Sequence, residues 1–205
     1  MNILQIRKTG LLFATNNPNK ILELERYLEP YSIPVYSLKD LKIDLKIEET
    51  GKTFQENAAL KALCYYRLAN IPTLADDSGL EVDILNKEPG VLSARYGNVN
   101  FTDQERNEYL LKKMLNVAPY LRTARFICVF AFIEDENQSI RFYEGKVEGK
   151  ILFSPRGTNG FGYDPIFEEI RTKKSFAELT IEEKNEISHR GQALKEFVKD
   201  LIKNS

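Results

Sequence analysis

Apolar residues fall into short continuous runs that alternate with longer amphipathic segments along the chain. Four of these runs predict strands, at residues 11–15, 124–133, 140–143 and 146–153. The run at 124–133 is nearly uninterrupted, which is typical of a strand buried on both faces. We therefore expect the last three strands to form the central part of a sheet.

Helix signals stand between these strands. Amphipathic spacing follows Asn17, Thr53, Thr102 and Thr180, and each of these residue types favours the N-cap position. The three threonines have Glu three residues later, which is the spacing of a capping box. These positions predict four helix starts, the second of them opening a helix that ends near Asn70.

The stretch at residues 74–85 combines an apolar pattern with candidate chemistry. Its apolar run reaches Asp76 and Asp77, and the following Ser-Gly pair predicts a turn before a second strand. Two adjacent carboxylates at a sheet edge suit a hard cation such as Mg²⁺, which prefers oxygen ligands. The alternative is that Asp-Asp-Ser-Gly is only a favourable turn sequence.

Two further segments carry residues that suit phosphate binding. Asn17 and Pro18 predict a helix start whose free N–H groups and dipole would face an anion, with Lys20 adding a full charge. Asn57 and Lys61 lie one turn apart on the next helix and would reach phosphate oxygens from one face. An ordinary capped helix and a solvated polar stripe are the alternatives.

A glycine-rich loop at residues 156–165 offers flat aromatic surfaces. Phe161 and Tyr163 flank Gly162, a pattern that suits stacking on a planar ligand such as a base. The alternative is that both rings anchor the loop to the core. A second loop bounded by glycines, at residues 90–97, carries Arg95, which we include among the candidate nucleotide contacts.

The last predicted helix starts after Thr180 and is expected to continue past Gly191. Lys184 and Ser188 would then share one face. His189 is the only histidine in the chain, so a site with several histidine ligands is excluded. A lone histidine beside an arginine is more often a polar contact than a catalyst.

Composition narrows the class of partner and the compartment. The chain has 205 residues, with 29 Lys and Arg against 30 Asp and Glu, so it lacks the positive field that nucleic-acid binding uses. The apolar runs are too short to span a bilayer, and the first ten residues do not resemble a signal peptide. Cys64 and Cys128 are expected to be buried free thiols, so we expect a cytoplasmic protein.

Six motifs occur in order over most of the chain. They are Thr-Asn-Asn-Pro-Asn-Lys (15–20), Glu-Glu-Thr-Gly-x-Thr-Phe-x-Glu-Asn-Ala (48–58), Ala-Asp-Asp-Ser-Gly-Leu (75–80), Pro-Gly-x-x-Ser-Ala-Arg-Tyr (89–96), Phe-Gly-Tyr-Asp-Pro-Ile-Phe (161–167) and Glu-Lys-Asn-x-x-Ser-His-Arg (183–190). Together they resemble the Ham1, or inosine triphosphate pyrophosphatase, family. One departure is Asn16, where the family commonly has Gly; Asn tolerates left-handed φ better than most residues.

The resemblance implies an α/β fold with a long twisted mixed sheet and helices, in which two lobes flank a central nucleotide-binding cleft. It implies one domain of two lobes over residues 1–205, with a short N-terminal extension at 1–10, and a homodimer. The implied activity is Mg²⁺-dependent hydrolysis of ITP, dITP and XTP to the monophosphate and pyrophosphate, which removes them from the nucleotide pool. Alternatives are a pyrophosphatase for other modified nucleotides and a regulatory module that binds nucleotide without turnover.

The resemblance also implies roles for individual residues. Asp77 would be the general base and a metal ligand, with Glu48 and Asp76 as further metal ligands. The triphosphate would be bound by Thr15, Asn16, Asn17, Pro18, Asn19 and Lys20, and the nucleotide would also contact Ser78, Phe161, Gly162, Tyr163, Asp164, Lys184, His189 and Arg190. Asn57, Lys61 and Arg95, identified above from their positions in the sequence, complete the candidate substrate contacts. Donors from His189, Arg190 or backbone N–H groups would pair with the 6-carbonyl of inosine or xanthine and leave adenine mismatched.

Overall fold

Six β-strands form one open mixed sheet in residues 2–135 and 139–203, the part of the chain that the computed structural model describes. The strands are β1 (Leu11–Phe13), β2 (Val35–Ser37), β3 (Thr73–Val82), β4 (Thr123–Ile133), β5 (Arg141–Ile151) and β6 (Phe167–Glu169). They lie in the order β2-β1-β3-β4-β5-β6. β1 runs parallel to β2 and β3, while β5 and β6 are antiparallel. The predicted α/β class with a mixed sheet is confirmed.

Helices occupy most of the segments between strands. They are α1 (Ile3–Thr9), α2 (Pro18–Leu28), α3 (Phe54–Ala69), α4 (Asp103–Lys113), α5 (Ile181–Ile187) and α6 (His189–Lys203). All four predicted starts are confirmed, because Asn17, Thr53, Thr102 and Thr180 each accept a hydrogen bond from a backbone N–H of the first turn. Capping therefore fixed these boundaries at the level of single residues.

The first ten residues contain a helix that the sequence reading did not identify. Asn2 caps α1 through a reciprocal capping box with Gln5. Ile3 and Ile6 are buried in the same apolar cluster as Leu11 of β1. The segment described as an N-terminal extension therefore contributes side chains to the core.

The turn predicted at Ser78 and Gly79 is wrong. β3 continues without interruption from Thr73 to Val82, so Asp76 and Asp77 lie in the middle of a strand. Turn propensity rests on Asp and Ser side chains bonding to their own backbone. Here the two carboxylates bond to side chains of other elements, and the backbone stays in the sheet.

Two other boundaries differ from the sequence prediction. Residues 140–143 and 146–153 were predicted as separate strands, but β5 joins them into one from Arg141 to Ile151. The last helix was predicted to be continuous, but Ser188 has extended backbone angles and separates α5 from α6. Because of this break, Lys184 and Ser188 do not share a helix face.

The chain divides into two compact units, each with its own apolar core. Unit 1 comprises Met1–Asp77, Cys128–Gly145 and Arg190–Ser205, and its core includes Phe13, Phe130 and Phe197. Unit 2 comprises Ser78–Ile127 and Lys146–His189, and its core includes Phe126 and Phe167. Each cluster buries enough aromatic and aliphatic surface to stabilise its unit.

Both cysteines are free, as predicted, but only Cys128 is fully buried; Cys64 is half-buried. None of the helices in the described part of the chain is long and apolar enough to cross a membrane.

Candidate active site

Two buried carboxylates lie side by side on β3. Asp76 is 1% exposed and Asp77 is 6% exposed. Successive side chains of a strand point to opposite faces of the sheet, so the two carboxylates meet different neighbours. Burial of a carboxylate is costly unless a cation or donors compensate it, and the two residues are compensated in different ways.

Asp76 is held by two cations. Its Oδ2 lies 2.8 Å from Lys20 Nζ of α2 and 3.3 Å from Arg190 Nη2 of α6. Burial alone would raise the pKa of Asp76, but the positive charges of Lys20 and Arg190 outweigh it and hold that pKa well below its ordinary value. Asp76 is therefore ionised at every pH at which the protein would work.

Arg190 extends this contact to a third element. Its guanidinium also binds the carboxylate of Glu23 on α2, and both side chains are buried. The ion pairs of Glu23, Arg190, Asp76 and Lys20 thus connect α2, β3 and α6. Buried pairs of this kind fix geometry, since removal of one partner leaves an uncompensated charge.

Asp77 lies in different surroundings. Asn57 Nδ2 of α3 donates to its Oδ2 at 2.9 Å, and Lys61 Nζ lies 3.9 Å from its Oδ1. Lys61 is closer to Glu49, at 2.5 Å. Burial raises the pKa of Asp77 from its ordinary 3.8 to about 6, and the negative charge of Glu49 also raises it. Lys61 and Asn57 lower this pKa, but their effect is smaller.

Two acidic residues beside Lys61 could hold a divalent cation. Glu49 and Asp77 both border Lys61, and the charge of Glu49 raises the pKa of Asp77, so a cation would relieve their repulsion. Within residues 2–135 and 139–203 no group of three or more His, Cys, Asp or Glu side chains has metal-binding geometry. Mg²⁺ commonly takes only one or two carboxylates and completes its shell with water and substrate phosphate, so this pair fits it.

The two other predicted metal ligands, Glu48 and Asp76, are less well placed than Glu49 to bind a cation together with Asp77. Glu48 is exposed, whereas Glu49 is half-buried and faces Lys61. Asp76 is already engaged with Lys20 and Arg190. The geometry therefore favours Glu49 over Glu48 as the partner of Asp77.

The start of α2 does not present all the free donors that were expected. Asn17 Oδ1 accepts hydrogen bonds from the backbone N–H groups of Asn19 at 3.0 Å and Lys20 at 3.4 Å. Thr15 Oγ1 accepts from the Asn17 N–H at 3.2 Å. Two of the first donors of the helix are thus used by its own cap, and the positive contribution of this segment comes mainly from the Lys20 ammonium. Asn16 and Pro18 are exposed beside it.

In unit 2, the glycine loop (residues 156–165) is held by a buried ion pair. Lys184 Nζ of α5 lies 2.6 Å from Asp164 Oδ2, and the Phe161 N–H donates to the same oxygen at 2.9 Å. The ammonium also lies 4.6 Å from the centroid of the Phe161 ring. Gly160 permits this arrangement, because a Cβ there would lie 2.1 Å from Asp164 Oδ2.

The two loop aromatics differ in exposure. Tyr163 is buried in the core of unit 2, and its hydroxyl donates to the Ser93 carbonyl at 3.0 Å. This is the anchoring role that was the alternative to stacking. Phe161 is half-buried and keeps part of its ring accessible. Of the two rings, Phe161 is therefore the one placed to stack on a ligand.

The remaining predicted residues are separated between the units. His189 in unit 2 is buried and stacks on Phe126, with ring centroids 4.7 Å apart and planes 8° apart. Ser78 is half-buried on β3, and Arg95 is exposed at the end of a short 3₁₀ segment, Gly90–Arg95. Arg190 belongs to unit 1, where it binds the carboxylates described above.

Sequence reasoning assigned no role to Glu23, and it left open which of Glu48, Glu49 and Asp76 binds the metal. Glu23 lies three residues after Lys20, which places both side chains on one face of α2. The acidic residue one turn after a candidate phosphate ligand is the feature of the sequence that could have indicated this role. Glu49 is adjacent to Glu48, and the sequence does not distinguish which of the two faces α3.

The open mixed sheet and the buried acidic residues beside lysines define an α/β protein with a buried acid–lysine cluster. Comparison with known proteins is consistent with this class and identifies the family. A model of the Ham1 family matches residues 11–200, and the chain belongs to this family.

Relatives cover nearly the whole chain. A protein named dITP/XTP pyrophosphatase from Listeria innocua is 48% identical over 191 residues, which are 93% of this chain and 94% of the relative. A protein of the same name from Thermoanaerobacter pseudethanolicus is 45% identical over 193 residues, which are 94% and 96% of the two chains. The predicted resemblance is confirmed.

Solved structures agree with the fold. A HAM1 protein from Coxiella burnetii has a TM-score of 0.86 at 41% identity, covering 95% of this chain and 98% of its own. The Ham1 protein of Staphylococcus aureus has a TM-score of 0.84 at 38% identity, covering 96% of this chain and 100% of its own.

The opposite surroundings of Asp76 and Asp77 predict opposite effects on stability. The raised pKa of Asp77 makes its ionisation in the folded state costly between about pH 4 and pH 7. Asp77→Asn is therefore expected to stabilise the metal-free protein by up to about 3 kcal/mol at neutral pH and by almost nothing near pH 4.

The lowered pKa of Asp76 stabilises the folded state at pH values above the pKa that this residue has in the unfolded chain, and this stability is lost on acidification. Asp76→Asn should therefore destabilise by roughly 3 kcal/mol at pH 7 and less as the pH falls.

Denaturant unfolding of both variants and the parent chain, in the presence of a chelator at several pH values, measures these differences. A stability difference for Asp77→Asn that does not change between about pH 4 and pH 7 would contradict the assignment of a raised pKa to this residue.

Proposed function

We propose that this protein hydrolyses dITP, ITP and XTP to the nucleoside monophosphate and pyrophosphate, and so removes non-canonical purine nucleotides from the pool. The observation that carries the proposal is Asp77, a buried carboxylate on β3 whose pKa is raised to about 6, within reach of Lys61 and Asn57. Relatives that cover more than nine-tenths of the chain carry the name dITP/XTP pyrophosphatase, which supports the substrate class.

Asp77 is suited to act as the general base. A base works best when its pKa lies near the working pH, because it is then both ionised and able to accept a proton. At neutral pH Asp77 is ionised and takes the proton of a water that attacks the α-phosphate. Asn57 Nδ2 holds one of its oxygens and so fixes the orientation of the carboxylate.

Lys20 and Lys61 supply the positive charge that the triphosphate requires. Each ammonium is paired with a carboxylate, Lys20 with Asp76 and Lys61 with Glu49, so each is held in place before substrate arrives. Cations fixed in this way stabilise negative charge at little reorganisation cost. Burial alone would lower the pKa of Lys61, but the charges of Asp76, Asp77 and Glu49 outweigh it and keep Lys61 protonated.

Glu49 and Asp77 would hold Mg²⁺ through carboxylate oxygens, with Glu49 in the place that the sequence reading gave to Glu48. When bound, the cation would neutralise phosphate charge and polarise the phosphoryl group. Asp76 stays with Lys20 and Arg190, and its contribution is to hold the Lys20 ammonium in position.

The base of the nucleotide would be recognised by the other predicted contacts. Phe161 offers a partly accessible ring, and Ser78, Arg95 and His189 remain candidate contacts. The Arg190 guanidinium is engaged with Glu23 and Asp76, so we assign it to positioning of Asp76. The 6-carbonyl of the base would then pair with His189 or with backbone N–H groups, which would disfavour adenine.

Two further expectations remain proposals. The homodimer follows from the family resemblance, and the cytoplasmic location follows from the two free cysteines and the family's activity. We also propose that residues 1–205 act as one catalytic domain, in which the first ten residues pack with the core of unit 1.

The substrate class is tested by incubation of the protein with dITP, XTP, dATP and dGTP in Mg²⁺, with identification of the products. We expect monophosphate and pyrophosphate from dITP and XTP, with kcat/KM at least about tenfold above that for dATP, since a buried donor facing the adenine amine is left unsatisfied. A chelator should abolish turnover. Release of orthophosphate as the first product, or equal rates on dATP, would contradict the proposal.

The metal ligand is tested by two neighbouring glutamates. Glu49→Gln removes a charged oxygen beside Asp77 and should raise the Mg²⁺ concentration for half-maximal activity by about tenfold or more, whereas Glu48→Gln should change it less than about twofold. Calorimetric titration of Mn²⁺ gives the same comparison without turnover. If Glu48→Gln has the larger effect in both measurements, Glu48 is the ligand and the assignment is wrong.

A further inference from the structure

The first two turns of α4 bind the backbone of Gly162 through two separate side chains. Asp103 Oδ2 accepts from the Gly162 N–H at 2.7 Å, and Asn107 Nδ2 donates to the Gly162 carbonyl at 3.0 Å. Both polar groups of one peptide residue are therefore held by a helix more than fifty residues earlier in the chain. All three residues belong to unit 2.

The conformation of Gly162 is held by its hydrogen bonds. Its φ is +59°, in the left-handed region that residues other than glycine rarely adopt, and glycine itself adopts positive and negative φ about equally readily. A Cβ at this position would meet no atom within 4 Å, so close packing does not impose the conformation. The hydrogen bonds with Asp103 and Asn107 select this conformation from those open to a glycine.

Both α4 side chains have further restraints, although the Asp103 side chain is itself 54% exposed. Arg106 Nη1 lies 2.8 Å from Asp103 Oδ1, and Arg106 Nη2 donates to the Phe101 carbonyl at 2.8 Å. Arg106 and Asn107 are 6% and 4% exposed. An arginine held by two partners and a buried amide have few alternative rotamers, so the pair forms a rigid support.

Asn107 is a buried polar side chain with only part of its hydrogen-bonding capacity used by the described residues. Its Nδ2 donates to Gly162, which settles the orientation of the amide. Its buried Oδ1 accepts no hydrogen bond from any part of the chain that the structure describes. A buried acceptor without a donor is destabilising, so an apolar residue would serve the core of unit 2 at least as well. The contact with Gly162 is what the asparagine provides.

The consequence falls on the neighbouring aromatic ring. Phe161 precedes Gly162 directly, and its own N–H donates to Asp164 Oδ2 at 2.9 Å. With Gly162 fixed by α4 and Phe161 fixed by Asp164, the direction of the half-buried Phe161 ring is determined. A ring that stacks on a base discriminates between bases only when its position is fixed.

We propose that Asp103 and Asn107 are positioning residues that set the Gly162 peptide and thereby orient Phe161 for selection of the base. This inference rests on the proposed function, in which Phe161 contacts the nucleotide. Both residues belong to unit 2, whereas the lysines and carboxylates that we propose for phosphate cleavage belong to unit 1. Their loss should therefore affect substrate binding and selectivity far more than the chemical step.

The test compares Asn107→Leu and Asp103→Ala with Gln104→Ala, a control on the same helix whose exposed side chain donates to exposed Glu108. We expect the first two to raise KM for dITP about tenfold with kcat changed less than about threefold, and to lower the dITP to dATP ratio of kcat/KM by about tenfold. Gln104→Ala should match the parent chain. Equal losses of kcat for dITP and dATP, or no change in selectivity, would overturn the proposal.

A second variant reaches the same peptide without altering α4. Gly162→Ala has space for its methyl group but cannot adopt φ +59° without strain, so it should reproduce the loss of selectivity even if Asn107→Leu folds poorly. Normal selectivity in Gly162→Ala would contradict the proposal.

A readout without turnover separates this inference from the proposed function. The chain contains no tryptophan, so Phe161→Trp places a single tryptophan on the loop, which can be excited at wavelengths that the tyrosines do not absorb. Addition of Asn107→Leu should increase quenching of that fluorophore by acrylamide, whereas Gln104→Ala should not. If the parent protein fails to hydrolyse dITP but the quenching result holds, the proposed function is wrong and the positioning stands. If dITP is hydrolysed and the quenching is unchanged, the positioning is wrong.

Discussion

The structure depends on keeping two adjacent carboxylates of one buried strand in opposite electrostatic surroundings. Asp76 is surrounded by Lys20 and Arg190, which hold its pKa low, whereas burial holds the pKa of Asp77 near 6. Strand alternation makes this possible, because each carboxylate faces a different set of elements although their backbones are adjacent. In the proposed function, one acid would serve as a fixed charge and the other as a proton acceptor.

This arrangement also links the stability of unit 1 to its chemistry. The Asp76 contacts join α2, β3 and α6, so the ion pair that orients Lys20 also secures three elements. Asp77 works in the opposite direction, since its ionisation in a buried position costs stability that the nearby Lys61 ammonium offsets only in part. Active sites often reduce the stability of the fold, because groups arranged for chemistry are not arranged for maximal stability.

The proposed roles of the individual residues rest on the contacts that each residue makes. Glu49 is half-buried and pairs with Lys61, whereas Glu48 is exposed, and Arg190 binds carboxylates of its own unit. In unit 2, hydrogen bonds to the backbone hold the glycine loop. The side chains that we propose for phosphate cleavage and for base selection thus have partners of their own before a ligand binds, as electrostatic catalysis and base selection require.

The sequence predicted the starts of α2, α3, α4 and α5 to the residue, because capping is a local interaction between positions two or three residues apart. It also predicted β4 from its continuous apolar run, and the six motifs identified the family. It failed where long-range contacts decide. Ser78 and Gly79 have turn propensity, yet β3 continues because Asp76 and Asp77 find partners on other elements.

Similar long-range effects explain the other misses. The helix break at Ser188 and the burial of Tyr163 depend on tertiary packing, which the hydrophobic periodicity of the sequence does not predict. Likewise, no local pattern distinguishes Glu49 from Glu48, since the choice depends on where α3 places Lys61.

The most direct test of the central claim is a carbon-13 NMR titration of the aspartate side-chain carboxyls in metal-free protein, with Asp77→Asn and Asp76→Asn used to assign the two signals. The account predicts that the Asp77 carboxyl titrates near pH 6 while the Asp76 carboxyl stays ionised down to the lowest pH at which the protein remains folded. Titration of Asp77 near its ordinary value of 3.8, or titration of both carboxyls together, would contradict it.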